Sequence, residues 1–211
     1  MTRINPILAK AQSAAPDVLD QVSDETLLVL YARGDPDAAR MLMQRLLPRV
    51  LGYAGRLLSD RAEAEDVAQE AMLRLWRVAP DWRQGEAQVS TWLYRVVTNL
   101  CTDRLRSRRR RPAVTLDDAP EVADGAVGQV AVLIEADRMT ALQAALDLLP
   151  ERQRQAVVLR HIEGLTNPEI AGVMDIGVEA VESLTARGKR ALAAALAGRR
   201  EQLGYEDGAG G

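Results

Sequence analysis

The stretch from Pro150 to Leu192 constrains the fold of this chain most, because it spells two short helices joined by a tight turn, with a third helix in front. Thr166-Asn167-Pro168-Glu169 is a helix start: Thr166 can cap, Pro168 suits a first turn that needs no donor, and Glu169 stands three residues after the cap. Ile170, Ala171, Val173 and Met174 supply an inward stripe at helical spacing. Asp175-Ile176-Gly177 interrupts it, Asp175 tolerating a left-handed backbone and Gly177 opening the next helix. That helix turns Val178, Val181, Leu184 or Thr185, Gly188 and Leu192 inward, and its other face carries Glu182, Ser183, Arg187, Lys189 and Arg190. This is the pattern of a helix-turn-helix, whose second helix lies in a DNA major groove, although a plain helical hairpin shares the spacing. Gly188 costs about 1 kcal/mol relative to Ala inside a helix, so close packing by another element is expected there.

The chain has no Phe and only 3% aromatic residues, so any core must be built from Leu, Val, Ala and Met, which favours helices. Its 211 residues allow one medium domain or two small ones. The formal net charge of −3 does not suggest a nucleic-acid partner, but it hides a cluster at Arg104, Arg106, Arg108, Arg109, Arg110 and Arg111. Cys101 is the single cysteine and sits within an apolar helical pattern, which reads as a small core residue. His161 is likewise alone, so no metal site is expected. No nucleophile–base pair or phosphate-binding glycine loop is evident, and no cofactor or enzymatic activity is expected. Without an apolar leader or a membrane-length apolar run, the chain reads as cytoplasmic and not membrane-bound.

The chain reads as all-α, with two small helical domains joined by a flexible linker. Residues 1–22, interrupted by Pro6 and Pro16, read as a flexible leader. A first domain over 23–111 begins with a helix capped by Ser23 and ended by Gly34. A longer helix opens at Asp35-Pro36, and Pro48 is expected to kink or divide it. The helix started by Ser59-Asp60 is the most informative: Ala64, Val67, Ala68, Ala71, Met72, Leu75 and Trp76 form one stripe, while Glu63, Glu65, Asp66, Gln69 and Glu70 crowd the rest. Few basic residues are interleaved, which points to a docking surface for a basic protein partner rather than a merely solvated face. Pro80 and Gly85 break the pattern, and Ser90 is expected to cap a helix from Trp92 to Leu105 that runs into the arginines. Aromatics beside cations suit single-stranded nucleic acid; with Trp76 and Trp92 assigned to the core, Trp82 and Tyr94 are left as stacking candidates. Residues 112–129 read as an acidic flexible linker, 130–197 as a second domain ending in the helix-turn-helix, and the Gly-rich 198–211 as a disordered tail.

Two functional readings fit these features. A stand-alone helix-turn-helix regulator explains Pro150 to Leu192 but leaves the acidic helix, the loop after it and the arginine run without a shared purpose. The other reading comes from resemblance. Asp60 to Glu70 (DRAEAEDVAQE), Leu73 to Trp76, Thr91 to Leu100 (TWLYRVVTNL) and Asp103 to Leu105 resemble region 2 of the extracytoplasmic-function group of sigma-70 factors. Leu148 to Arg154 (LLPERQR), Glu163 to Thr166 and Glu169 to Ala171 resemble its region 4.

The resemblance implies an alternative sigma factor that binds core RNA polymerase, through the β′ clamp helices and the β subunit, and directs it to promoter DNA under an anti-sigma factor's control. Asp66, Gln69 and Glu70 would contact core polymerase. Trp82, Arg83, Gln84, Gly85 and Glu86 would lie by a base flipped from the −10 element, and Asn99, Arg104, Arg106 and Arg108 would hold the −10 DNA. Glu182, Ser183, Leu184, Arg187, Lys189 and Arg190 would face the −35 element. The second helix departs from the family pattern, in which basic residues commonly flank the serine: here the run is Val181-Glu182-Ser183-Leu184. An altered −35 preference is expected, with non-specific affinity resting on Arg187, Lys189, Arg190 and the Arg104 to Arg111 run.

Overall fold

A computed structural model describes residues 22–83, 85, 88–110 and 129–197, and every regular element among them is helical. Most of the expected leader, the linker apart from Gln129, Gln84, Glu86, Arg111 and the tail lie outside the described residues. In chain order the helices are α1 (Asp24–Ala32), α2 (Pro36–Leu58), α3 (Arg61–Val78), α4 (Val89–Arg110), α5 (Gln129–Asp147), α6 (Glu151–His161), α7 (Asn167–Met174) and α8 (Val178–Ala197), with a 3-10 turn at Ala79–Asp81.

Helices α1 to α4 form one bundle. Leu27, Leu28 and Leu30 of α1 meet Leu42, Leu46, Val50, Tyr53 and Leu57 of α2, with Val67, Ala71 and Leu75 of α3 and Leu93 and Val97 of α4 closing the core. Ser23 and Asp60 cap α1 and α3 through their side chains, and Asp35 caps α2 ahead of Pro36. Pro48 does not divide α2: it lies on the exposed face, as does Gln44, whose carbonyl loses its proline-side donor where water can replace it. Ser90 does not cap α4, which begins at Val89; the orphan amide of Val89 donates instead to Glu25 Oε1 of α1, 3.1 Å away. Cys101 is buried in this bundle, where burial pushes its thiol up to about 12.

Helices α5 to α8 form the second bundle, with Leu146, Ala156, Val157, Leu159, Ile170, Val173 and Val181 inside. The Glu169 carboxylate accepts from the backbone amide and hydroxyl of Thr166 at 2.7 and 2.6 Å, closing the start of α7. Asp175 takes the left-handed conformation, φ +53°, that turns α7 into α8. The hydrogen bonds from Thr166 hold the Glu169 carboxyl below its ordinary value. The stability they contribute is present above the unfolded value of 4.5 and is lost as pH falls through the lower folded value. The gap in melting temperature between the native chain and Glu169→Gln is therefore expected to narrow as pH falls from 4.5 through the lower folded value; a gap independent of pH would remove this role for the carboxylate.

The two bundles pack against each other, α4 on α7 and α2 on α6 and α5. Glu163, just beyond α6, accepts a hydrogen bond from the Tyr94 hydroxyl and lies 3.9 Å from Arg56. Arg154 of α6 donates to the carbonyl of Leu57 at 2.9 Å and pairs with Asp147 at 3.0 Å, and the buried Gln155 amide donates to Thr102. Tyr94 is 2% exposed, which excludes it as a base-stacking platform in this arrangement.

Candidate protein-docking and nucleic-acid surfaces

The acidic face of α3 follows from its stripe. With Ala64, Val67, Ala68, Ala71 and Leu75 buried, helical geometry leaves Glu65, Asp66 and Gln69 exposed and Glu70 half-exposed. Asp66 faces Arg104 at 3.5 Å, and Arg74 holds Glu70 at 2.8 Å, so that hydrogen bond keeps the Glu70 carboxyl below its ordinary range. Beside these acids runs an apolar groove of about 420 Å³, lined by Met43, Leu47 and Leu51 of α2 and by Met72, Leu73 and Trp76 of α3. Leu73 is 42% exposed. The sequence reading missed Met43 and Leu47, although Met43, Leu47 and Leu51 recur every four residues as a second apolar stripe beside the buried one at Leu42, Leu46 and Val50.

Of the five candidates in the loop after α3, Trp82, Arg83 and Gly85 are among the described residues. Trp82 is half-buried and meets Trp92 edge-on, ring centroids 6.0 Å apart, while its indole N–H is buried without an acceptor among the described residues. Gly85 has φ +92°, a conformation that glycine adopts without steric cost. Trp76 stacks tilted on Tyr31 at 4.5 Å and is half-buried.

The arginines of α4 divide into two groups. Arg108 is clamped by its own domain, donating to Glu63 at 3.0 Å, Asp60 at 2.8 Å and the carbonyl of Leu58 at 3.1 Å. Arg104 leans on Asp66. Arg106 is exposed, with Asp103 at 3.7 Å, and with Asn99 it lines a cavity of about 360 Å³ at the domain seam, opposite Glu151, Arg152 and Gln155 of α6 and Met174 of α7. Of the candidate −10 residues on α4, Asn99 and Arg106 therefore face the second bundle in this arrangement, while Arg104 and Arg108 pair within the first.

On α8 the burial of Val181 and Gly188 sets the inward face. Glu182, Ser183, Arg187, Lys189 and Arg190 are exposed, whereas Leu184 is half-buried and packs against the core. Arg187 folds back on the Ser183 hydroxyl at 2.9 Å. Gly188 lets α8 approach α6 closely: a Cβ there would lie 2.5 Å from Val157 Cγ2. No helix among the described residues is long and apolar enough to cross a membrane.

Comparison with known proteins finds a match for each of the two bundles. The Sigma-70 region 2 family model matches residues 42–111, and the Sigma-70, region 4 model matches residues 139–192. The RNA polymerase sigma-H factor of Pseudomonas aeruginosa is 33% identical over 187 residues, covering 85% of this chain and 96% of that protein. The ECF RNA polymerase sigma factor SigM of Mycobacterium tuberculosis is 38% identical over 175 residues, covering 82% and 85%. Among solved structures, CnrH in complex with the cytosolic domain of CnrY superimposes with a TM-score of 0.60 at 24% identity, covering 83% of this chain and 97% of that one. RpoE bound to the anti-sigma factor NepR, from Bartonella quintana, also gives 0.60, at 19% identity, covering 75% and 96%. These two share the fold. With both sigma regions matched in order and relatives above 30% identity aligned over most of their length, the chain belongs to the extracytoplasmic-function group of the sigma-70 RNA polymerase sigma factors.

Proposed function

We propose that this sigma factor divides its work between two domains, residues 23–111 for core polymerase and the −10 element and residues 130–197 for the −35 element. The acidic face of α3 bordering an apolar groove carries the reading: it offers an amphipathic, basic helical partner both an apolar seat and a matching charge. Asp66, Gln69 and Glu70 on that face dock on the β′ clamp helices, with Leu73, Met43 and Leu47 supplying the seat. Promoter opening is then binding work. Capturing a base extruded from the −10 strand at Trp82, Arg83, Gln84, Gly85 and Glu86 offsets an unstacking cost of a few kcal/mol. Asn99, Arg104 and Arg106 hold the adjoining DNA, Arg108 contributes mainly through the structure of the first domain, and the exposed face of α8 meets the −35 element. Control by an anti-sigma factor belongs to the same reading; NepR, with which RpoE of Bartonella quintana was solved, is such a factor.

Run-off transcription by core polymerase supplemented with this chain, on a randomised promoter library, tests the reading. Transcripts that start from a shared pair of elements support it; no promoter-selective transcription, with duplex binding by the free chain intact, favours a stand-alone regulator. The two groups of arginines separate in the same system. Arg106→Gln is expected to reduce the slope of log K against log salt for promoter binding by about 1, the signature of one lost phosphate contact. Arg108→Gln is expected to leave the slope unchanged and to cost on the order of 1 kcal/mol of stability, since its clamp is partly exposed. Equal slopes for both variants would reject this division.

A further inference from the structure

The recognition helix α8 carries its charges in an uneven order. Its exposed face begins with Glu179 and Glu182, continues through Ser183 and Ala186, and turns basic only at Arg187, Lys189 and Arg190. Exposed Asp175 in the preceding turn adds a third carboxylate at the same end. In a helix-turn-helix the leading residues of the second helix meet base edges, where DNA's negative potential repels a carboxylate unless the edge offers it a proton. Guanine presents N7 and O6 acceptors in the major groove, thymine an O4 acceptor, and adenine an N7 acceptor beside its amino group; cytosine alone presents a donor, the N4 amino group, with no acceptor beside it.

We propose that Glu179 and Glu182 are specificity-determining residues that accept hydrogen bonds from two cytosine amino groups at neighbouring base pairs of the −35 element. This rests on the reading above that α8 contacts that element. The two residues stand three apart on one side of the helix, about 4.5 Å along its axis, close to the 3.4 Å base-pair step. Asn167 at the start of α7 donates to Glu182 Oε1 at 3.4 Å, which steadies that carboxylate and leaves its second oxygen for a base. Asn167 is therefore a positioning residue. Val178 and Ala180 are exposed on the same leading turn and provide the apolar contacts, in place of the inward-leaning Leu184. The basic trailing half meets phosphates, so affinity and sequence choice sit on opposite ends of one helix.

Selection of −35 sequences from a randomised library by core polymerase carrying the full chain tests the proposal. The native chain is expected to enrich cytosine at two neighbouring positions, each by roughly tenfold or more over guanine. Glu182→Lys is expected to convert one of these to guanine, Glu179→Lys the other, and Asn167→Ala to weaken the preference at the Glu182 position alone. Unchanged −35 preferences in both Lys variants, while Arg187→Ala and Lys189→Ala still weaken promoter binding, would overturn the proposal and leave α8 as a DNA-contacting helix. If the Arg and Lys variants also have no effect on promoter binding, the underlying reading of α8 falls with it. Core binding and melting temperature, measured on each variant, exclude misfolding as the cause.

Discussion

Replacing Asp66 and Glu70 together by Lys is expected to weaken binding to core RNA polymerase by roughly 100-fold or more. Placing like charges against each other at an interface costs several kcal/mol, and each 1.4 kcal/mol is tenfold in affinity. Asp66 is 67% exposed at its side chain, so the interior of the domain does not need its charge. Two intramolecular effects must be separated from the interface effect. Lys at 66 would face Arg104 and Lys at 70 would face Arg74, the present partners of these acids. Asp66→Asn and Glu70→Gln remove charge without adding repulsion and are expected to give a smaller loss in the same order, with little change in melting temperature. Leu73→Ser, which blunts the apolar seat, is expected to weaken binding without altering its salt dependence. The measurement is competition with a housekeeping sigma factor for core polymerase at two salt concentrations; undiminished affinity in the double Lys variant would remove α3 as the docking surface.

Gly188→Ala is expected to destabilise the second domain, although Ala is the better helix former. The added Cβ would lie 2.5 Å from Val157 Cγ2, 3.2 Å from the carbonyl oxygen of Gln153 and 3.3 Å from its Cβ. Val157 is 1% exposed and β-branched, so its side chain has no alternative rotamer at hand, and relief requires α6 and α8 to separate. Overpacking of this kind costs about 1 to 3 kcal/mol, against about 1 kcal/mol gained in propensity, so the net is a loss; a larger residue such as Leu is expected to prevent the domain from forming. Gly55 in α2 supplies the contrast, because nothing lies within 4 Å of a Cβ there. Gly55→Ala is expected to stabilise by about 0.5 to 1 kcal/mol. Urea unfolding of both variants in the full chain checks the pair, and a stabilised Gly188→Ala would show that α6 and α8 are not in close contact.

That close approach was legible in the sequence because a glycine inside a helix calls for a reason, and the capping signal at Thr166 and Glu169 was legible because its parts are adjacent in the chain. Contacts between distant residues were not. The amide of Val89 is satisfied by Glu25, 64 residues away, so the nearby Ser90 was the wrong place to look for a cap. The arginine run gave its charge but not its division, since Arg108 is tied down by Asp60, which reads as a helix start, and by Glu63, which reads as surface. Tyr94 looked available to a base because periodicity does not reveal that a carboxylate from the other domain takes its hydroxyl. The family motifs located both domains; which face of each is covered depends on how the domains meet.

If the two domains read the two elements as proposed above, the seam between them sets a threshold on promoter engagement. Elements named for positions −10 and −35 lie about 25 base pairs apart, or about 85 Å of DNA, while a body of the size of the described residues, about 155 of them, has a radius of gyration of about 15 Å. Packed as described, the two bundles are too close to touch both, so on that reading a promoter bound at both elements requires a seam that has opened, and whatever free energy holds Glu163 to Tyr94 and Arg56 is subtracted from that binding. If the open form is one molecule in a hundred, apparent affinity for the full promoter falls by about 100-fold. Small changes at a few seam residues, none of which need touch DNA, would then tune how readily the factor commits to a gene.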